Sequence, residues 1–295
     1  MTVENTSSEI NSLISLLDDP DAEIYKQVLA RLRKLGKVGI DSLKKELEQN
    51  SDNKLRNQRI ERLLNEINFN TLVDDLTDWS RKGQYNMPEF LILVAHYEYP
   101  NVHSEVIKNE IDRLTEQIRQ DMSQYATPLQ RVRNINHVLY QVQQFKSNFN
   151  NPMDPDNVFI NRVLKTKKGS DIVLGILYLH IADNLGLPIY GINFPKNFLL
   201  GYVSDESNKN LTSMHVAFYI NPYNQGIPLS KDEILSFLKQ HKLQAKPEYL
   251  KPAEKSKIAL RLLKYLMISY KRNAEERKVR DIQKLIEIVN KNTKE

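Results

Sequence analysis

A run of apolar residues from Asp171 to Leu185 is the feature that most limits how this chain can fold. The run is apolar on most sides of a helix, so it must be surrounded by protein. Gly186-Leu187-Pro188 ends it, because neither glycine nor proline continues a helix. Segments rich in β-branched and aromatic residues follow and predict three strands, at 189–194, 198–203 and 216–220, with a polar loop at 204–210. The sequence therefore predicts a central helix packed against a small antiparallel sheet.

The N-terminal third is a series of short amphipathic helices. Apolar stripes at helical spacing begin at Ile10, Ile24, Ile40 and Leu55, and the pattern continues from Leu72 to Gly83. None of these helices can bury its stripe alone, which is typical of helix pairs stacked as a solenoid. The segment LLDDPDAEIYKQVLARLRKLGKVGIDSLKKEL resembles a HEAT-type repeat, because an Asp-Pro turn starts one helix and a glycine-containing break precedes the next.

Helical patterns also fill most of the chain between residues 88 and 149 and return after the predicted sheet. The last two helices, at 256–270 and 279–289, resemble a pair of tetratricopeptide type. The predicted fold class is α+β and mostly α. Its expected domains are HEAT-like helical repeats at 1–87, a core with the sheet and central helix at 88–240, and a tetratricopeptide-like helical tail at 241–295.

Composition excludes several classes of chemistry. The 295 residues include no cysteine, which rules out disulfides, a thiol nucleophile and cysteine-bound zinc. The six histidines do not pair at metal-ligand spacing, and neither a phosphate-binding loop nor a dinucleotide-binding glycine motif occurs. We therefore expect no metal and no cofactor. The polar, acidic start of the chain does not resemble a signal peptide, and no run approaches the ~18 apolar residues of a membrane span. We expect a cytoplasmic protein with no membrane role.

The charge is uneven along the chain. The segment from Lys239 to Glu295 contains 16 basic and 7 acidic residues, a net charge of +9, whereas the remainder carries −4. A basic tail can attract nucleic acid. Charges of both signs alternate there with apolar residues at helical spacing, which favours an ordinary solvated helical face. Nucleic-acid binding through the tail is therefore kept only as an alternative.

Four segments together resemble the transglutaminase-like superfamily, in particular its SirB-one branch. They are KGSDIVLGILY (168–178), LGLPIYGINFPKNF (185–198), YINPYNQG (219–226) and ALRLLKYLMISY (259–270). In active members of that superfamily, a cysteine at the start of the central helix attacks an acyl group. A histidine on the following strand accepts its proton, and an aspartate on the next strand orients the histidine.

The resemblance places these three roles on residues that cannot perform them. The cysteine position falls at Asp171, or at Ser170 with a slip of one residue. The histidine and aspartate positions fall at Asn197 and Asn221. An ionised aspartate is a poor acyl acceptor, and an asparagine cannot accept a proton. We expect Asp171, Asn197 and Asn221 to form a closed hydrogen-bond network that is structural, with a retained ligand pocket as the alternative.

The resulting functional hypothesis is a non-catalytic transglutaminase-like protein, a pseudoenzyme that acts as a protein-interaction or scaffolding module. Its expected partner is another protein, because helical repeats commonly supply recognition surfaces. The alternative from a different class is a hydrolase or acyltransferase with rewired chemistry. That alternative uses Ser170 or Asp171 with His215 as the base, and it requires these side chains to lie within hydrogen-bond reach.

Overall fold

The computed structural model describes residues 3–49, 53–205, 210–211 and 213–292, and its contacts divide the chain into Met1–Asp75 and Leu76–Glu295. The division falls within the fourth helix. The described α-helices, in chain order, are α1 (Val3–Ser15), α2 (Ala22–Leu35), α3 (Ile40–Gln49), α4 (Lys54–Arg81), α5 (Met87–Glu98), α6 (Ser104–Gln120), α7 (Pro128–Asn136), α8 (Ile160–Thr166), α9 (Asp171–Asn184), α10 (Lys231–Gln240), α11 (Lys255–Arg272) and α12 (Glu276–Asn292).

In the unit Met1–Asp75, each helix has one apolar face and buries it in a core that the helices share. Its core contains one or more residues from each stripe predicted before position 70, for example Leu17, Leu32, Leu43 and Ile60. Local signals set the helix ends. The Asp21 carboxylate accepts hydrogen bonds from the first amides of α2, and Gly36, with φ +51°, ends that helix. The predicted helices are confirmed, except that the pattern from Leu55 onward lies on one helix of 28 residues, α4, and is therefore not a short helix. The HEAT-like arrangement stays a prediction.

The unit Leu76–Glu295 is built around α9. Residues 172–178 of α9 are all buried, as expected for a helix that is apolar on most sides. Gly175 allows close packing, because a Cβ atom there would lie 2.5 Å from the ring of Phe198. Helices α5, α6 and α11 and the sheet contact α9. The central-helix prediction is confirmed.

The sheet is an antiparallel meander of four strands. After two short strands, β1 (Lys146–Ser147) and β2 (Lys168–Gly169), the chain forms β3 (Ile189–Ile192), β4 (Leu199–Asp205), β5 (His215–Asn221) and β6 (Ile227–Leu229). The order within the sheet is β3-β4-β5-β6, and Leu200 pairs with Ile220. The predicted loop at 204–210 is wrong at its start, since β4 continues to Asp205. Residues 206–209 of that loop lie outside the described residues.

The strands β1 and β2 fix the approach of the chain to α9. They pair in parallel, with Ser147 opposite Gly169. In the neighbouring segment 150–157, Asp154 caps a short 3₁₀ turn at Pro155–Asn157. Together these segments hold Ser170 immediately before the first turn of α9.

The C-terminal helices α11 and α12 pack against each other, as the helical pattern predicts. Their tetratricopeptide-like character stays a prediction. Among the described helices, none combines the length and apolarity that crossing a membrane requires.

Candidate functional site

The candidate site lies at the N-terminus of α9, where the family resemblance places the nucleophile. Ser170 is the N-cap of this helix and is 5% exposed. Its hydroxyl accepts a hydrogen bond of 3.4 Å from the amide of Val173, and its own amide donates to the carbonyl of Asn157 at 2.9 Å. Ser170 is therefore used as a helix cap, which is the usual role of serine at this position.

The carboxylate of Asp171 joins α9 to the sheet. Its Oδ2 atom accepts a hydrogen bond of 2.5 Å from the amide of Phe198, the residue just before β4. Its Oδ1 atom accepts one of 2.9 Å from the amide of Ile172. Burial raises the pKa of Asp171 above its ordinary value, and the Phe198 hydrogen bond and the positive charge of Arg261 act against that rise. A negative charge at a helix N-terminus is also favourable for the helix dipole.

Arg261 of α11 supplies the positive charge of the site. Its Nη1 atom donates to the side-chain oxygen of Asn193 at 2.8 Å and to the carbonyl of Phe194 at 2.5 Å. Burial lowers the pKa of Arg261, and the charge of Asp171 raises it. Arg261 therefore holds the segment between β3 and β4 while its charge acts on Asp171.

Tyr265 lies one helical turn after Arg261 on the same helix. Its hydroxyl donates a hydrogen bond to the carbonyl of Pro152. Burial and the charge of Asp171 raise the pKa of this hydroxyl to about 12. Tyr265 thus ties α11 to the segment that precedes α8.

Sequence reasoning missed both Arg261 and Tyr265. A signal was present, since an arginine and a tyrosine four residues apart interrupt a helix whose neighbouring leucines are buried.

Asn197 and Asn221 use local backbone partners. Asn197 follows Lys196, which has a left-handed φ of +71°, and its amide donates to the carbonyl of Pro195 at 3.0 Å. Asn221 ends β5, and its side-chain oxygen accepts from the amide of Tyr223 at 3.1 Å to cap a 3₁₀ turn. In the described part of the chain, no hydrogen bond joins the side chains of Asp171, Asn197 and Asn221. The predicted closed network is therefore wrong, because the side-chain oxygens of Asp171 and Asn221 accept hydrogen bonds from backbone amides instead.

His215 lies at the other end of β5. It is exposed, and its Nδ1 atom lies 3.0 Å from the hydroxyl of Ser204. Asn221 lies six residue steps further along β5, a span of about 20 Å. Asp171 contacts the sheet at Phe198, beside the Asn221 end of β5. The pairing of His215 with Ser170 or Asp171 is therefore wrong, since a base must lie within one hydrogen bond or one water of its partner.

The side chains of Asp171, Arg261 and Tyr265 hold the β3–β4 segment and the segment before α8 against α9 and α11. Together they place a carboxylate, a guanidinium and a phenol near the tip of one helix. Within the residues that the structure describes, no group of three or more histidine, aspartate or glutamate side chains is arranged to hold a metal ion.

Comparisons with known proteins agree with a transglutaminase-like fold. The family model described as "Transglutaminase-like superfamily" matches residues 105–264. A UPF0162 protein of Xylella fastidiosa (strain 9a5c) is 24% identical over 67% of this chain and 70% of its own length. A UPF0162 protein of Vibrio cholerae is 32% identical over 44% of this chain and 46% of its own.

A mammalian protein also matches part of the chain. F-box only protein 21 of Mus musculus is 32% identical over 36% of this chain and 17% of its own length. No solved structure matches the chain. Since the family model covers more than half of its residues and includes α9 and the sheet, this chain belongs to the transglutaminase-like superfamily.

Proposed function

We propose that this protein is a non-catalytic member of its superfamily and acts as a protein-interaction or scaffolding module. The observation that carries the proposal is the hydrogen bond that the Asp171 carboxylate accepts. At the position of the nucleophile in the family pattern, a carboxylate accepts a hydrogen bond from the Phe198 amide and so serves to join α9 to β4.

The surrounding residues support the same proposal. Ser170 is buried and caps a helix, and its hydroxyl has no imidazole beside it in the described part of the chain. The side chains of Asn197 and Asn221 are carboxamides, which do not take up a proton near neutral pH. General-base catalysis contributes about 10²–10⁴-fold in rate, so an acyl transfer here would proceed without that contribution and without a thiolate.

The proposal assigns the interaction role to the helical flanks together with the core. HEAT-like repeats at 1–87 and a tetratricopeptide-like tail at 241–295 would provide surfaces for another protein, since stacked helix pairs form extended recognition surfaces. The proposed location of this role is the cytoplasm.

The test combines capture with turnover on the full chain. Immobilised protein is cross-linked in a cell extract, and the captured partners are identified and then purified to measure direct binding. The same preparation is assayed with a panel of amide and ester substrates. A reproducible, directly binding protein partner without turnover supports the proposal.

Two outcomes would contradict it. One is turnover of an amide or ester that D171N or S170A abolishes. The other is binding to DNA or RNA that weakens steeply with added salt, in the absence of any protein partner, which would favour a role for the basic tail.

A further inference from the structure

A cavity of about 620 Å³ lies at the opposite end of α9 from the candidate site, between that helix, β3 and the start of α11. Its volume is within the range of pockets that hold small molecules, roughly 300–1,000 Å³. We call it the α9–α11 cavity and define it by Leu179, His180, Asp183, Ile189, Lys255 and Ile258.

Two exposed side chains of opposite charge line this cavity. Asp183 lies in the last turn of α9, and Lys255 is the first residue of α11. Within the described part of the chain, neither side chain is in an ion pair, with the other or with a third residue. The N-cap residue of α11, Glu254, pairs with Lys257 instead, at 3.7 Å. Each charge is therefore available to a molecule in the cavity.

Both charges oppose the dipole of their own helix. A helix carries partial negative charge at its C-terminus and partial positive charge at its N-terminus, so Asp183 destabilises α9 and Lys255 destabilises α11. The last turn of α9 contains no basic residue, and the first turn of α11 contains no acidic residue. Residues that break a local rule without a structural gain are expected mainly at functional sites.

His180 lies one helical turn before Asp183 in the same lining. Burial lowers the pKa of His180; the charges of Asp112 and Asp183 act against this change, and the charge of Lys255 adds to it. Both cavity charges thus act on one imidazole, which shows that they belong to one site. The imidazole is neutral near pH 7 and adds no third charge, so the cavity offers one anion, one cation and a neutral polar group.

We propose that the α9–α11 cavity binds a small zwitterion, either an α-amino acid or a short peptide with free ends. Its ammonium group pairs with Asp183, its carboxylate pairs with Lys255, and its side chain lies against the apolar part of the wall. A simple anion would be repelled by Asp183 and a simple cation by Lys255, whereas an uncharged ligand would leave both charges without a partner. This inference goes beyond the proposed interaction function and does not depend on it.

The test screens the full chain by thermal shift against the standard amino acids and against the dipeptides and tripeptides made by adding glycine to each. Compounds that raise Tm are then measured by calorimetry. Each is compared with its N-acetylated form, which lacks the ammonium group, and with its C-terminal amide, which lacks the carboxylate. Binding of the amino acids or of the peptides alone identifies which of the two is the ligand.

Two variants, D183N and K255Q, remove one cavity charge each. Their matched controls are D121N and K231Q, because Asp121 is an exposed residue at the C-terminal end of α6 and Lys231 is the exposed first residue of α10, and neither lines the cavity. Without ligand, all four variants should keep or raise Tm, since each loses a charge that a helix dipole disfavours.

We expect either cap on the ligand, D183N or K255Q to weaken binding about tenfold or more, the size of one charge-assisted hydrogen bond. N-acetylation should weaken binding to wild type but have little further effect on D183N. Amidation should likewise have little further effect on K255Q. D121N and K231Q should bind as wild type does.

Four results would overturn the assignment: no compound of the panel binds, capped compounds bind as tightly as free ones, D183N or K255Q binds as tightly as wild type, or the two matched controls lose binding equally. A D183N or K255Q protein that is less stable than its control would contradict the reading of misplaced charges, and the capped compounds still decide the question on wild type. Capture of a protein partner bears only on the proposed function and is measured separately.

Discussion

Replacing Asp171 by alanine or by asparagine separates the two roles of its carboxylate, which accepts a hydrogen bond from the Phe198 amide and carries a negative charge. Alanine removes the acceptor for the Phe198 amide and leaves a buried N–H group without a partner. That loss costs about 1–3 kcal/mol. Removal of a negative charge from the N-terminus of α9 costs about 0.3–1 kcal/mol more. Relief from burying the charge offsets part of this sum, so we expect D171A to lower the free energy of unfolding by about 2 kcal/mol.

Asparagine keeps one acceptor for the Phe198 amide and removes the buried charge. We therefore expect D171N to lie within about 1 kcal/mol of wild type at neutral pH, since a neutral hydrogen bond replaces a charged one while desolvation is relieved. The assay is urea unfolding followed through the fluorescence of Trp79. This residue is the single tryptophan, is 2% exposed and lies in the same unit as Asp171.

The pH dependence gives a second, independent reading of Asp171. Burial holds its pKa above the ordinary value of 3.8, so the folded state binds this proton more tightly than the unfolded state. The stability that this preference contributes is fully present below pH 3.8 and is lost as the pH rises through the folded pKa. Between pH 3.8 and the folded pKa of Asp171, wild type should therefore lose stability relative to D171N as the pH rises. Equal stability of D171A and wild type, or the opposite pH trend, would refute the role assigned to this carboxylate.

Three further substitutions test the packing and charges around the two cores. R261M should destabilise the fold by about 2 kcal/mol, because it leaves the acceptors on the β3–β4 segment unpaired. G175A should cost about 1–3 kcal/mol in urea unfolding despite the better helix propensity of alanine, since its methyl group would overlap the ring of Phe198. R56Q should flatten the loss of stability below pH 4 in acid titration. Burial raises the pKa of Asp18, but hydrogen bonds from Arg56 and Asn53 outweigh this effect and hold the pKa below its ordinary value of 3.8. The ionised Asp18 therefore stabilises the fold above pH 3.8, and this stability is lost as the pH falls through the folded pKa.

Matched variants serve as controls for these measurements. G39A should be nearly neutral, because no atom lies within 4 Å of a Cβ placed there. R56K keeps a positive charge near Asp18 and should retain part of the pH dependence. A G175A protein as stable as wild type, or an R56Q protein with an unchanged acid transition, would contradict the packing and the ion pairs described above.

The sequence predicts most helices because their signals are local. The stripe that begins at Ile24 lies on a helix with its own aspartate cap and glycine end, and the apolar run that becomes α9 needs no knowledge of its neighbours. Strand β6 was not predicted, because its three residues include Pro228, which is tolerated mainly at a sheet edge. Strands β1 and β2, of two residues each, form only because the tertiary structure brings them together.

The site was predictable only in part for a related reason. The family pattern places Asp171 at the helix tip, and the structure agrees. Its partners come from distant segments, namely the amide of Phe198 and the charge of Arg261, which is 90 positions later in the chain. A backbone amide has no signature in a sequence, so the pattern suggested the wrong partners, Asn197 and Asn221.

We propose that the helix tip of this protein performs no acyl chemistry. The most direct measurement compares wild type with the triple variant D171C/N197H/N221D, using an acyl-donor ester and mass spectrometry of the intact protein. We predict no covalent acyl adduct on wild type, and an adduct on residue 171 of the variant if the fold still aligns the three positions. An acyl adduct on wild-type Ser170 or Asp171, formed and hydrolysed over repeated turnovers, would contradict the claim.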